Sequence, residues 1–133
     1  MEYCELSAYE IARLVRQRQV KAVDVLESCL KRIAAVDGRP GSLEPGEPQP
    51  NDEQSIHAFI TLTRERAYAR AQAVDQQVAA GKDPGQLAGV PFTVKDIFCV
   101  EGTPSTAASR ILANFTAPYT ATPVARMESA GNH

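Results

Sequence analysis

The first third of the chain shows the periodic pattern of apolar residues that is typical of amphipathic helices. Ser7 is followed by Glu10 at the spacing of a capping box, and apolar residues then recur every three or four positions. A second periodic run begins near Lys21 and ends at Gly38, a residue type that helices favour just beyond their last turn. The pattern therefore predicts a pair of helices over residues 7–37.

The next segment, residues 38–55, has a composition that cannot supply a hydrophobic core. It contains four prolines, three glycines and four acidic residues, which is typical of exposed loops. At about eighteen residues it is long for a connection inside a compact domain. We predict an exposed loop, and its role, as a partner-binding loop or a tolerated surface insertion, stays open.

Two apolar segments predict strands on either side of a third helix, as a strand–helix–strand unit over residues 57–100. Residues 57–62 are rich in β-branched and aromatic residues, and residues 90–100 are apolar almost throughout, as in a strand buried on both faces. The helix between them has a row of small residues that favours close packing against a sheet: Ala67, Ala71 and Val74. A loop and a last helix follow over residues 103–131. This order predicts an α/β fold, with a mixed sheet that is covered by helices and incomplete in this chain.

Charge and hydropathy exclude several classes of function. The 133 residues include 14 basic and 16 acidic ones, for a net charge of −2, which does not fit a nucleic-acid-binding surface. No apolar run approaches the roughly 18 residues of a membrane span. The acidic N-terminus also lacks the basic and apolar regions of a secretion signal. We therefore predict a cytoplasmic protein that does not bind a membrane.

The cysteines and histidines do not form the pattern of a metal site. The three cysteines are an odd number without CxxC spacing, which predicts free thiols in a reducing compartment. His57 and His133 are the only histidines, so neither a metal cluster nor a histidine-based triad is predicted.

A charged pair interrupts the most apolar segment of the chain. In GVPFTVKDIFCVEG, residues 89–102, Lys95 and Asp96 lie side by side, although a charge removed from water costs several kcal/mol unless it is paired. A buried lysine is more easily neutral, and a neutral amine can act as a general base. The alternative is a lysine at a strand end that pairs with Asp96 or reaches solvent, although alternation along a strand places the two side chains on opposite faces.

The segments LAGVPFTVKD and CVEGTPSTAASRILANFTAPYTATPVARMESAG resemble the amidase signature family, and within it the amidase subunits of the aspartyl/glutamyl-tRNA amidotransferases. The resemblance extends over essentially the whole chain and implies the N-terminal part of the amidase-signature fold. The family hydrolyses amides with a Ser–cis-Ser–Lys triad, whose lysine corresponds to Lys95. The resemblance therefore implies that Lys95 takes a proton from the bridging serine, which in turn activates the nucleophilic serine.

The same resemblance implies a substrate and partners. The tRNA-dependent members release ammonia from glutamine, and a second subunit uses it to amidate Glu-tRNA or Asp-tRNA with ATP and magnesium. The resemblance thus implies no cofactor in this chain, because ATP and magnesium would belong to a partner subunit. Other amidotransferase subunits are the expected partners, and charged tRNA is an indirect one.

The triad serines of the family belong to a Gly/Ser-rich segment that these 133 residues do not contain. Ser105, Ser109 and Ser129 lie outside such a segment and are predicted to be caps and packing hydroxyls. The chain also departs from the family at Ile97 and Thr120, where many members have asparagine and an acidic residue. We therefore expect a truncated amidase subunit that carries the catalytic lysine and is inactive alone; the alternatives are a non-catalytic partner-binding module and a non-functional truncation.

Overall fold

Helices provide the regular structure of the computed structural model, which describes residues 2–44 and 46–131. None of the helices in these ranges is long and apolar enough to cross a membrane. The four α-helices of the described residues are α1 (Ala8–Arg16), α2 (Ala22–Val36), α3 (Arg64–Ala79) and α4 (Thr122–Ser129). Short 3-10 turns lie at Tyr3–Glu5, Asp52–Gln54 and Arg110–Leu112.

Helix α1 begins with the capping box that its sequence predicts. The Glu10 amide donates to the Ser7 hydroxyl at 3.3 Å, and the Ser7 amide donates to the Glu10 carboxylate at 3.0 Å. Because these amides have no partner within the helix, the two bonds fix the residue at which the helix starts. The start in turn fixes the helix face that carries Ile11 and Val15, both of which are buried.

The hydrophobic core lies between α1, α2 and α3. Its buried residues are Ile11, Ala12, Val15, Ala22, Val25, Leu26, Leu30, Ala71, Val74, Ala88 and Val90. The buried row of α3 includes Ala71 and Val74, as its sequence predicts, but α3 packs mainly against α2 instead of a sheet. The small side chains on α3 allow the close approach of the two helices.

Helix α3 also caps α2 from a distance in sequence. The residue before α2, Lys21, makes no side-chain cap. The Asp75 carboxylate on α3 accepts from the Ala22 amide at 2.7 Å and from the Val23 amide at 3.3 Å. A carboxylate at this position satisfies free amides and lies favourably at the positive end of the helix dipole. The two helices are therefore joined by packing and by a cap.

The predicted mixed sheet is not formed by the residues that the structure describes. Residues 57–62 and 90–100 are assigned no strand, and the single β-bridge within residues 2–44 and 46–131 joins Pro104 to Thr116. An extended segment becomes a strand only when a second one lies beside it. The segment near His57 is bonded to the end of α2 instead, because its amides donate to Asp37.

The segment that carries Lys95 is anchored where it begins, at Gly89. This glycine has a φ of +69°, and a Cβ there would lie 2.9 Å from Val15 Cγ2 and 3.0 Å from Ala22 Cβ. Only glycine combines this backbone conformation with such a close approach to α1 and α2. The Gly89 amide also donates to the carbonyl of Gly131 at 3.0 Å, just beyond α4. The helices therefore fix the start of the segment.

Candidate functional site

Lys95 is exposed in this structure. Of the two alternatives for this lysine, exposure agrees with the one in which its side chain reaches solvent, and residues 90–100 do not form a strand that buries it. Of the apolar run that contains it, Val90 is buried, whereas Ile97 and Phe98 are exposed. The Lys95 amine forms no ion pair with the described residues, Asp96 included. It is thus presented at the surface without a charged partner from the part of the chain that the structure describes.

The neighbouring Asp96 has a different environment, because its oxygens bind a turn ten residues further on. The Thr106 amide donates to Asp96 Oδ1 at 2.9 Å, and the Thr106 hydroxyl donates to Oδ2. The Ala108 amide reaches the same Oδ2 at 3.5 Å. The main-chain carbonyl of Asp96 accepts from the Ser105 hydroxyl at 3.1 Å and from the Ala107 amide at 3.2 Å. We call these contacts between Asp96 and residues 105–108 the Asp96 clamp.

The Asp96 carboxylate is ionised by virtue of this arrangement. Burial alone raises the pKa of a carboxyl group, but the hydrogen bonds from Thr106, Ala108 and Ala107 outweigh that effect and hold the pKa of Asp96 below its usual value. The ionised Asp96 therefore adds to the free energy of unfolding at pH values above the ordinary aspartate pKa of about 3.9. This contribution is lost as the pH falls through the lower pKa that Asp96 has in the folded chain.

A short antiparallel pairing closes the loop that contains the clamped turn. Beside the bridge between Pro104 and Thr116, the Ser105 amide donates to the Phe115 carbonyl at 3.2 Å and the Ala117 amide to the Thr103 carbonyl at 2.9 Å. The loop so enclosed has an apolar outer part: Ile111 is 94% exposed, and Leu112 and Phe115 are also exposed. Together with Ile97 and Phe98 they form a set of exposed apolar residues on the two segments that Asp96 joins.

The serines of this region are bonded within the fold. Ser105 is buried and donates to the Asp96 carbonyl, and the Ser129 hydroxyl donates to the Ala125 carbonyl at 2.8 Å, one turn earlier in α4. The Ser109 amide donates to the Thr106 carbonyl at 2.8 Å. The contacts of Ser105 and Ser129 agree with packing roles, because each hydroxyl donates to a main-chain carbonyl instead of to a general base.

The loop over residues 38–55 is folded back by an ionic cluster at its two ends. Arg39 binds the Asp52 carboxylate through two nitrogens at 2.7 and 3.2 Å, and the His57 ring lies 3.6 Å from Asp52 and 3.0 Å from the Arg39 carbonyl. A groove of about 380 Å³ lies among these side chains and Glu44. The loop is largely exposed, as its composition predicts, but it is not an unstructured linker.

No group of three or more histidine, cysteine, aspartate and glutamate side chains suited to a metal ion occurs among the described residues. The three cysteines, Cys4, Cys29 and Cys99, are free and half-buried. Burial raises the pKa of Cys29, with a smaller effect from Cys4. His133, the second histidine of the sequence, lies outside the described residues.

The amidase family model matches residues 51–133. This chain belongs to the amidase family. It is 42% identical over 126 residues to a glutamyl-tRNA(Gln) amidotransferase subunit of Salinispora arenicola, and that match covers 95% of the chain and 22% of the relative. With the corresponding subunit of Desulforamulus reducens it shares 35% identity over 130 residues, which are 98% of the chain and 24% of the relative. The chain thus spans about a quarter of the length of these relatives.

Solved structures of amidase signature enzymes share the fold. A bacterial aryl acylamidase of that family has a TM-score of 0.76 and 25% identity over 96% of this chain and 24% of its own length. A second solved structure comes from a vestigial protein complex that reveals the evolutionary origins of an s-triazine catabolic enzyme. It has a TM-score of 0.80 and 33% identity, over 96% of this chain and 24% of its own length. The helices and extended segments of this chain are therefore arranged as in part of an amidase.

Proposed function

We propose that this chain forms the lysine-bearing part of an amidase that releases ammonia from the side-chain amide of glutamine. The similarity to two glutamyl-tRNA(Gln) amidotransferase subunits over nearly the whole chain supports this substrate more than a general amide. The observation that carries the proposal is the presentation of Lys95, exposed and without an ion-pair partner among the described residues, on a segment fixed by Gly89 and by the Asp96 clamp.

In the proposed reaction Lys95 is the proton acceptor, and the rest of the complete enzyme covers it, because removal from water favours a neutral amine. It takes the proton of a bridging serine, which takes the proton of a second serine as that serine attacks the amide carbon. The carbon–nitrogen bond then breaks, the nitrogen receives a proton and leaves as ammonia, and water hydrolyses the acyl-enzyme to the carboxylate. In this proposal neither Ser105 nor Ser129 is a reacting serine, because both hydroxyls donate to main-chain carbonyls.

A partner subunit completes the proposed pathway. The ammonia passes to a subunit that amidates an acylated tRNA, with ATP and magnesium bound by that subunit. The acidic net charge of this chain supports such a division of roles, because contact with the tRNA would then fall to the partner. The similarity to a protein from a vestigial complex supports the existence of partner subunits.

A second candidate, a non-catalytic binding module, is favoured by one observation. Five large apolar residues on the two segments that Asp96 joins are exposed: Ile97, Phe98, Ile111, Leu112 and Phe115. Exposed apolar side chains that form one patch mark surfaces that another protein covers. Substitutions distinguish the two candidates. A binding module needs its exposed apolar side chains, whereas the amidase needs the Lys95 amine.

A chimeric subunit tests the proposal. Residues 1–131 replace the matching quarter of the Salinispora arenicola amidotransferase subunit, and ammonia release from glutamine is measured with the other subunits of that enzyme present. We expect a rate within about tenfold of the parent enzyme, because the replaced segment would supply the same base in the same place. The 133-residue chain alone and the parent lacking that quarter serve as controls, and both should be inactive. A folded chimera that releases no ammonia would refute the proposed function.

A further inference from the structure

The Asp96 clamp uses both the carboxylate and the main chain of one residue. Three donors bind the carboxylate, the amide and hydroxyl of Thr106 and the amide of Ala108, and two bind the carbonyl, the hydroxyl of Ser105 and the amide of Ala107. A residue held on its side chain and its carbonyl has little freedom in φ and ψ. Because the peptide that joins Lys95 to Asp96 is planar, the position of Lys95 is restricted as well.

The turn that binds Asp96 is strained, and the carboxylate explains why it persists. Ala107 has a φ of +49° and Ala108 a φ of +56°, a left-handed conformation that costs an alanine roughly 1 kcal/mol or more. The amides of the two alanines bind different oxygens of Asp96: the Ala107 amide donates to the main-chain carbonyl at 3.2 Å, and the Ala108 amide donates to the carboxylate at 3.5 Å. Together with the amide and hydroxyl of Thr106, these donors hold the left-handed turn against Asp96.

The clamp includes two buried residues, although Lys95 beside it is exposed. Ser105 and Thr106 are each 5% exposed, whereas Lys95 is exposed. No ion pair with the described residues holds the Lys95 amine. The backbone at Lys95 is therefore ordered by the contacts of the next residue, Asp96, with residues 105–108. The Phe98 amide adds a bond to the Lys95 carbonyl at 2.9 Å.

We infer that Asp96 is a positioning residue for Lys95. The carboxylate of Asp96 holds the strained turn over residues 105–108. That turn fixes the backbone at Lys95, from which the amine reaches the substrate-binding side of the enzyme. The inference rests on the proposed function, in which Lys95 is the proton acceptor. Asp96 itself contacts neither substrate nor reacting serines in this mechanism.

Backbone relaxation of the 133-residue chain tests the clamp without an activity assay. In the native chain we expect ¹⁵N order parameters of about 0.85 at Lys95 and Ala108, the value of a rigid backbone. Asp96→Ala should lower both below about 0.6, while the values in α1, α2 and α3 stay the same. Asp83→Ala is the matched control, because the Asp83 carboxylate binds a single nearby amide, that of Gly85 at 3.0 Å. Unchanged order at Lys95 in Asp96→Ala would overturn the inference.

A milder variant keeps this test decisive if Asp96→Ala does not fold. Thr106→Val keeps the shape of the side chain and removes its hydroxyl donor, so the order at Lys95 should fall by a smaller amount. Thr106→Ser retains the donor and should restore the native value. Equal order in the native, Thr106→Val and Thr106→Ser chains would count against the clamp.

The chimeric subunit separates positioning from a merely structural role. For Asp96→Ala we expect kcat to fall about 100-fold, because misplacing a catalytic group by about 1 Å lowers the rate by this factor. KM should stay within about twofold of the value for the chimera with Asp96 intact. A change confined to KM would overturn the inference, because the residue would then act on binding. An inactive chimera with Asp96 intact would refute the proposed function, and the relaxation data would still decide whether the clamp orders Lys95.

Discussion

Lys95→Met in the chimeric subunit is expected to lower kcat for glutamine by roughly 10³-fold, the usual effect of removing a general base from a serine-dependent site. Methionine keeps most of the length of the side chain and removes the amine that accepts the proton. The measurement is ammonia release at saturating glutamine. Lys82→Met is the matched control, since Lys82 is also exposed and lies just beyond α3, outside the Asp96 clamp.

The same substitution should have almost no effect on folding. Lys95 is exposed and forms no ion pair with the described residues, so the free energy of unfolding of the 133-residue chain in urea should change by less than about 0.5 kcal/mol. A large loss of stability with retained ammonia release would make Lys95 a structural residue. The combination of lost activity and unchanged stability is specific to a catalytic role.

The largest effect on stability is expected from Asp37→Ala. Asp37 is 4% exposed, and its carboxylate accepts from the Ala58 amide at 2.7 Å and from the Phe59 amide at 3.2 Å. Hydrogen bonds to a charged group contribute about 1.5–3 kcal/mol each, and their loss leaves both amides without this partner. Because Ala58 is exposed and water can replace the lost partner of its amide, we expect a total loss of only about 3 kcal/mol in urea unfolding.

Asp37→Asn is the control for this prediction. Asparagine keeps the volume of the side chain and one acceptor oxygen, so about half of the stability should be retained. A loss below about 0.5 kcal/mol in Asp37→Ala would show that the segment near His57 is held by other contacts. The backbone bond from the His57 amide to the Asp37 carbonyl at 2.9 Å remains in both variants.

Local signals in the sequence were sufficient to predict the helices. The capping box of Ser7 and Glu10 and the apolar stripe that follows act within one or two turns, and the structure contains both. Long-range contacts have no such signal. The cap that Asp75 supplies to Ala22 joins residues 53 positions apart, and nothing in either segment indicates the pairing.

The predicted sheet is not formed by the described residues, for a related reason. An apolar, β-branched run such as residues 90–100 has the composition of a buried strand, but a strand also needs a second strand paired with it, and the described residues provide none. The exposure of Ile97 and Phe98 follows from the same lack of neighbours. Of the two alternatives for Lys95, the buried one depended on this strand, and the structure has the lysine exposed.

The catalytic role of Lys95 comes from the resemblance and stays a prediction. Neither periodicity nor composition indicated that Asp96 binds the turn at Thr106 and Ala108. The left-handed alanines of that turn carry no glycine or asparagine signal that would mark such a conformation. Only the three-dimensional structure shows that the pair of charges in the apolar run has two separate environments.

In the proposed mechanism Lys95 activates the serine nucleophile of an amide-hydrolysing site. A fluorophosphonate measures this activation, because the reagent phosphonylates an activated serine with loss of fluoride and does not depend on the substrate. We expect the chimeric subunit to be labelled at least about 100-fold faster with Lys95 than with Lys95→Met, in keeping with the loss of a general base. Equal labelling rates in the two folded proteins would show that Lys95 does not activate the serine.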